Sequence, residues 1–207
     1  IDMVYMDIDY MDNYKDFTVN EEFRDFPQYV ENLKKDHIRL VPIIDAGVKI
    51  EEGYDVYEEG VEKNYFCKRQ DGSDFVAAVW PGYTHFPDVL NPDARKWFGE
   101  KYKHRTDAGI EGFWNDMNEP AIFFTPEGVK DVKEAMKAFI DKEETVQDVW
   151  AIRAQVTGLA NNAEDYASMY HNVDGKMVRH DQVHNLFGYN MTRAAGEGLR
   201  EISPDKG

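Results

Sequence analysis

Cysteine is all but missing. Cys67 is the single one among 207 residues, which excludes an internal disulfide framework and makes a reducing, cytoplasmic setting the expectation. Basic residues are scarce too: Lys and Arg number 24 against 40 Asp and Glu, leaving a formal net charge of −16. Nucleic acids and anionic membranes are bound by basic surfaces, so neither is an expected partner. No uninterrupted apolar run approaches the roughly 18–20 residues that a membrane span needs. Internal repeats, low-complexity tracts and Pro/Ser-rich linkers are lacking. The chain opens Ile1-Asp2-Met3-Val4, with neither an initiator Met nor a signal-peptide pattern, so a processed chain or a piece of a longer one is expected.

What is present suffices for a core. Hydrophobic residues at 42% and aromatics at 14% argue against wholesale disorder. Short apolar runs alternate with helical periodicity, the mark of an α/β fold. Met3-Val4-Tyr5-Met6 reads as a buried strand running into Asp7-Ile8-Asp9, and Phe26-Pro27-Gln28 opens a helix carrying Val30, Leu33 and His37 at helical spacing. Arg39–Ile44 is a second strand, ending at Asp45. The connection from Ala46 to Leu90 is too long for a plain βα loop, and such loops are usually functional or carry structure of their own. Asn91-Pro92-Asp93 has the form of a helix start, with Trp97, Phe98 and Tyr102 on the apolar face. A third strand is expected over Ile110–Trp114, ending Asn115-Asp116. Beyond it, Val129, Val132, Met136 and Phe139, then Val149, Ile152, Val156 and Leu159, predict two amphipathic helices. A last helix is expected over about 181–197, with Leu186, Phe187, Asn190, Met191 and Ala194 on one side.

This order implies a parallel sheet with right-handed crossovers. Three strands that each end in a carboxylate point to a (β/α)8 TIM barrel, where chemistry sits at the C-terminal strand ends. A doubly wound sheet, the competing architecture, usually shows a Gly-rich phosphate turn after its first strand; Asp7-Ile8-Asp9-Tyr10 is no such turn.

The strongest local signal is Gly112-Phe113-Trp114-Asn115-Asp116-Met117-Asn118-Glu119-Pro120. A carboxylate just past a buried strand, with an aromatic two residues before it, can sit beside a sugar ring. Its attack on an anomeric carbon gives a covalent glycosyl-enzyme, the first half of a retaining mechanism. Read alone, Asp116 and Glu119 could equally cap the following helix.

The run Asp7-Ile8-Asp9-Tyr10-Met11-Asp12, the strand end Ile44-Asp45, Val79-Trp80-Pro81-Gly82 and Trp114-Asn115-Asp116-Met117-Asn118-Glu119-Pro120 occur in that order. Together they closely resemble the catalytic barrel of glycoside hydrolase family 31, the α-glucosidase and α-xylosidase family. Asp16-Phe17-Thr18, Phe86-Pro87-Asp88 and His184-Asn185-Leu186-Phe187-Gly188 also look like family sequence, and the likeness is least clear from Ala121 to Val178. The resemblance implies that Asp116 is the catalytic nucleophile and that Asp7 and Asp45 accept hydrogen bonds from hydroxyls of the terminal sugar. It implies Trp80 and Trp114 as aromatic walls of that subsite, with Ile8 and Met117 beside them. Carboxylates around the ring suit a cleavage that passes through an oxocarbenium-like cation, and Trp offers a flat face to the ring's C–H surface.

The sequence departs from the family in places. Ala46 follows Asp45 where the family usually has Pro. The family's acid/base is an aspartate at the end of strand six, well after the His-Asn-x-x-Gly helix, with an Arg shortly before it. The few residues after His184 match neither, and Asp205 is not given that role. The resemblance therefore implies about strands 2 to 4 of a partial barrel, three βα units of eight. All of 1–207 would then belong to one catalytic domain, with a helical insertion over 121–180 after strand 4, and the chain is not expected to work alone.

Other candidates read as structural. The series Asp7, Asp9, Asp12 and Asp16 lacks the Gly and terminal Glu of a calcium loop; Asp9, Asp12 and Asp16 read as solvated or capping residues, with Asp16 alternatively bracing the strand-two loop. His180 and His184 stand at a zinc-compatible spacing without a third ligand, and read as surface and packing histidines. Cys67 reads as an ordinary thiol, and Tyr54, Tyr57, Phe66 and Trp97 as packing. No metal or cofactor is implied.

The expected function is a retaining α-glucosidase acting on short α-glucosides. Ile8-Asp9-Tyr10-Met11 resembles the glucosidase members, whereas the α-xylosidases tend to carry Cys-Phe after the first aspartate. An α-xylosidase or α-glucosyltransferase of the same family, and a non-catalytic sugar-binding barrel, remain the alternatives. The expected partners are a small α-linked oligosaccharide and the remainder of the parent polypeptide; assembly into a homo-oligomer is left open.

Overall fold

The computed structural model describes residues 1–140, 143 and 145–206. Strand β1 (Met3–Met6) leads through short 3-10 turns to helix α1 (Phe26–Lys35) and strand β2 (Arg39–Ile44). Asp25 caps α1 by accepting from the Gln28 amide at 3.3 Å, with Pro27 in the first turn. His37 lies past the helix end, in a left-handed conformation with φ 60°, so the helical run stops short of it. The long connection then folds into β3 (Val48–Lys49), α2 (Asp55–Glu62), β4 (Ala77–Val79) and β5 (Gly82–His85). Helix α3 (Pro92–Lys101), capped by Asn91, and the short α4 (Lys103–Thr106) lead to β6 (Trp114–Asn115). Next come α5 (Pro126–Met136), α6 (Val146–Thr157), α7 (Ala163–Ser168), β7 (Tyr170–Val173), β8 (Lys176–Arg179), α8 (His180–Val183) and α9 (Phe187–Ile202).

The central sheet is parallel in the order β1-β2-β6. Its register sets Met3 opposite Arg39 and Met6 opposite Pro42, then Ile43 opposite Trp114 and Ile44 opposite Asn115. β2 is buried along nearly its whole length because a strand flanked on both sides and covered on both faces must be apolar throughout. β1 is an open edge, with Met3 55% and Tyr5 61% exposed. Among the described residues the sheet does not close, so the architecture is a partial α/β barrel.

A second layer comes from the long connection. β3, β5 and β4 form a small antiparallel sheet, and Trp80-Pro81 makes the tight turn between β4 and β5. Its apolar face joins the main core with Phe66, Phe75, Phe86, Trp97, Phe98, Tyr102 and Phe187. Tyr54, Phe66 and Trp97 are buried there as packing residues. Helices α3 and α9 cross with backbones almost touching. A Cβ on Gly198 would stand 2.2 Å from the Gly99 carbonyl oxygen, so only glycine fits this crossing.

Four expectations need correction. β1 was expected to be a buried strand, but none of Met3–Met6 is buried because no described strand covers its outer edge. The third strand was expected over 110–114 but pairs only at Trp114–Asn115. Glu111 is drawn away into ion pairs with Lys34 and Arg39, and Gly112 has no side chain to pack. The last helix does not run through 181–197. α8 ends at Val183, a 3-10 turn spans His184–Leu186 and α9 starts at Phe187, which leaves Leu186 48% exposed rather than on the buried side. The stretch 121–180 holds the two expected helices but also the β7–β8 hairpin. α6 forms behind a Thr145–Asp148 capping box, yet Val149 and Val156 stay exposed because no described residue covers that side.

Candidate active site

Parallel strands bring their C-terminal ends to the same side of a sheet, and here each of the three is followed by a carboxylate. Asp7 follows β1, Asp45 follows β2 and Asp116 follows β6, whose ladder extends one residue further as the Asp116 amide donates to the Ile44 carbonyl at 3.1 Å. All seven residues singled out in the sequence, Asp7, Ile8, Asp45, Trp80, Trp114, Asp116 and Met117, line one cleft of about 490 Å3. Asp9, Tyr14 and Ile43 complete the lining, which holds four carboxylates and no Lys or Arg. Tyr14 was not foreseen. It reaches the cleft through a backbone turn in which Asn13, Tyr14 and Phe17 all take left-handed φ values near 50–60°, a conformation Asn often adopts but one that Tyr and Phe do not announce in sequence.

Local bonds fix the backbone that carries the three carboxylates. Asp7 accepts from the Ile8 amide at 2.8 Å and opens the 3-10 turn Ile8–Tyr10. Tyr10, at the end of that turn, donates its hydroxyl to the Ile43 carbonyl at 2.8 Å and pins the loop to β2. The Asp45 amide donates to Asp16 Oδ1 at 2.9 Å, and the Tyr54 hydroxyl donates to the Asp16 carbonyl at 2.9 Å. Tyr102 donates to Asn115 Oδ1 beside Asp116. Met117, directly after Asp116, takes φ 54°, a costly conformation for a side chain of this size and one that turns the chain sharply off the strand end.

The aromatic walls differ in setting. Trp114 is half-buried, with the Tyr5 ring edge-on at 6.2 Å. Trp80 projects from the β4–β5 turn, 55% exposed, with Phe123 edge-on at 5.1 Å. Reciprocal backbone bonds between Ala78 and the Phe123–Phe124 segment tie that turn to the chain leaving Asp116. Asp45 feels the clustering most. Burial comes first, and the negative charges of Asp116 and Asp7 add to it, pushing its carboxyl up to about 7.

A family model described as the glycosyl hydrolases family 31 TIM-barrel domain matches residues 1–207. The chain belongs to glycoside hydrolase family 31. Alpha-glucosidase 2 of Bacillus thermoamyloliquefaciens is 36% identical to it over 203 residues, covering 98% of this chain and 21% of that protein. An α-glucosidase of Saccharolobus solfataricus is 29% identical over 198 residues, covering 95% of this chain and 26% of the relative. Among solved structures, the ER glucosidase II complex of a catalytic subunit with the binding domain of a regulatory subunit matches with a TM-score of 0.70 at 28% identity, over 96% of this chain and 18% of that one. The chain thus spans about a fifth to a quarter of the length of these relatives.

Away from the cleft, this family 31 chain forms a row of three histidines, of which His180 and His184 were expected to be surface and packing residues and His171 was not singled out. His171 and His180 are fully buried, and their side chains run Asp88–His171–His180–His184 with successive contacts of 2.7, 2.9 and 2.8 Å. With His171 Nδ1–H donating to Asp88, each ring nitrogen from His171 Nδ1 to His184 Nδ1 has a partner along the row. Burial, with His171 and His184 beside it, drives His180 down to about 3, so it stays neutral. The row fastens the β7–β8 hairpin and α8 to the loop after β5. Cys67 lies beside the row, with Sγ 3.5 Å from His171 Nδ1. Cys67, Asp88 and His171 bring three potential metal donors within 4.8 Å of one another. Burial raises the thiol well above its ordinary value and Asp88 already accepts from both His171 and the Asn172 amide, so hydrogen bonds alone account for the cluster.

No helix among the described residues is long and apolar enough to cross a membrane.

Proposed function

We propose that this chain carries the nucleophile and the sugar-binding wall of a retaining α-glucosidase that removes terminal glucose from short α-glucosides. Asp116 attacks the anomeric carbon as the glycosidic C–O bond breaks, and a carboxylic acid from another part of the barrel protonates the departing oxygen. Water then hydrolyses the glycosyl-Asp116 ester, and the same group, now a base, takes the water's proton. Asp7 and Asp45 accept hydrogen bonds from hydroxyls of the terminal glucose, and Trp80, Trp114, Ile8 and Met117 form the walls around the ring. The observation that supports this most is the convergence of three strand-end carboxylates in one cleft without a cation. That is the electrostatics an oxocarbenium-like transition state calls for. The names of the relatives point the same way.

The test is trapping with 5-fluoro-α-glucosyl fluoride in a polypeptide carrying this chain and the whole barrel, followed by peptide mass spectrometry. A hexosyl adduct on the peptide containing Asp116 is expected. A folded, complete barrel that forms no adduct would instead fit a sugar-binding protein without turnover.

A further inference from the structure

Asp16 lies outside the cleft lining, yet it is the most deeply buried carboxyl near the site, 1% exposed. Its Oδ1 accepts the Asp45 amide at 2.9 Å. Its Oδ2 is buried without a hydrogen-bond partner among the described residues, and so is Asp45 Oδ1. Two ionised carboxylates joined through the Asp45 amide, each with a buried oxygen lacking a partner, would repel each other and leave both lone-pair sets unsatisfied. The groups around Asp16 offer no relief. Tyr10, Tyr54 and Tyr102 each commit their single hydroxyl proton elsewhere, to Ile43, to the Asp16 backbone carbonyl and to Asn115. The charge acting on Asp16 is that of Asp45, and the charges acting on Asp45 from the cleft side are those of Asp116 and Asp7, all negative.

We propose that Asp16 is a positioning residue held as the neutral acid, and that its Oδ2–H is donated to Asp45 Oδ1, so that the pair carries one negative charge, presented to the sugar by Asp45. Both orphaned oxygens are then satisfied by one proton, and the Asp45 amide bond to Oδ1 is kept. Asp45 can face glucose hydroxyls as an acceptor because its inner oxygen is bonded from behind. Burial, with the Asp45 charge second, pushes the Asp16 carboxyl well above the usual range, in the direction this arrangement needs. An analogous carboxylic acid, kept neutral by its surroundings so that it can donate a hydrogen bond, is known chemistry in enzyme sites.

The inference rests on the glucosidase reading for its kinetic consequence but not for the protonation state, so two measurements separate them. The first is an infrared difference spectrum between wild type and Asp16→Asn, taken at neutral pH on the full barrel protein with carboxyl-labelled aspartate. Loss of a protonated-carboxyl band is expected, and loss of a carboxylate band overturns the proposal whether or not the protein hydrolyses glucosides. The second is the acidic limb of kcat/KM against pH. Asp16→Ala removes the bond to charged Asp45 and should move that limb up by about one pH unit. Asp16→Asn can still donate through its amide, so it should leave the limb within about 0.3 unit and kcat/KM within roughly threefold of wild type. If Asp16 is ionised instead, both variants remove a neighbouring negative charge and move the limb down. An Asp16→Asn variant that does not fold also refutes the proposal, because the amide is the neutral acid's near-isostere.

Discussion

Asp45→Asn should make the protein more stable while disabling the site, and the gain should depend on pH. Asp45 is held at about 7 against an ordinary 3.8, a rise of about three units. At ~1.4 kcal/mol per unit this sets an upper bound of about 4 kcal/mol for keeping the group ionised in the folded state. The outer oxygen faces the cleft and its water, and a bond from Asp16 would offset part of the penalty, so about 2 kcal/mol is the expected gain. The sign follows from the raised folded value. Below about pH 4 the carboxyl is protonated in both states and no penalty exists. Between about 4 and 7 the unfolded chain ionises first and folding loses stability as pH rises; above about 7 the whole penalty is present. Asn carries no charge at any pH, so the variant should melt a few degrees above wild type at pH 8 and level with it near pH 4. Scanning calorimetry of the full barrel protein at pH 4, 6 and 8 measures this. A melting difference that is flat across pH, or a variant less stable at pH 8, would refute the electrostatic account of Asp45. Glucosidase activity should fall in the same variant, since a site that crowds like charges gives up stability for function.

Other outcomes follow from the same geometry. Asp116→Asn should lower kcat by at least roughly 10³-fold and abolish the trapped hexosyl adduct, with the fold unchanged by circular dichroism; near-wild-type turnover removes Asp116 from the nucleophile role. Asp7→Ala should lower kcat/KM for glucosides by more than for deoxy analogues lacking the hydroxyl it bonds, and an equal loss on both would mean it binds no hydroxyl. Gly198→Ala should destabilise the α3–α9 crossing by about 2 kcal/mol or more, read as a lower melting temperature, because the new methyl would fall 2.2 Å from the Gly99 carbonyl oxygen.

Much of the site was legible in the sequence because its residues sit at strand ends. A strand flanked on both sides must be apolar throughout, so Leu40–Ile44 announces itself, and the first polar residue after it marks where the chain leaves the sheet. That logic located Asp7, Asp45 and Asp116, and the ordered motifs around them carried the family. The same local reasoning found the helix starts at Pro27 and at Asn91-Pro92, since a cap bonds an amide two or three residues away and a first-turn Pro needs no partner for its nitrogen. Trp80 was found through the Trp-Pro-Gly motif alone; the structure adds that Gly82 takes φ +95° in the tight turn that carries it.

Only tertiary structure decided the rest, because long-range packing leaves no periodic mark. β6 shrinks to two residues once Glu111 turns to Lys34 and Arg39, partners brought in from α1 and β2. His171, His180 and His184 form one row with Asp88, buried at His171 and His180, only when the β7–β8 hairpin folds onto the loop after β5, which spans more than 80 residues of sequence. Asp16 reads along the chain as a solvated, capping or loop-bracing residue, and only the fold seals it behind Asp45. Burial and a second carboxyl, neither visible along the chain, then change its chemistry from a solvated anion to a group that must find another way to satisfy its oxygens.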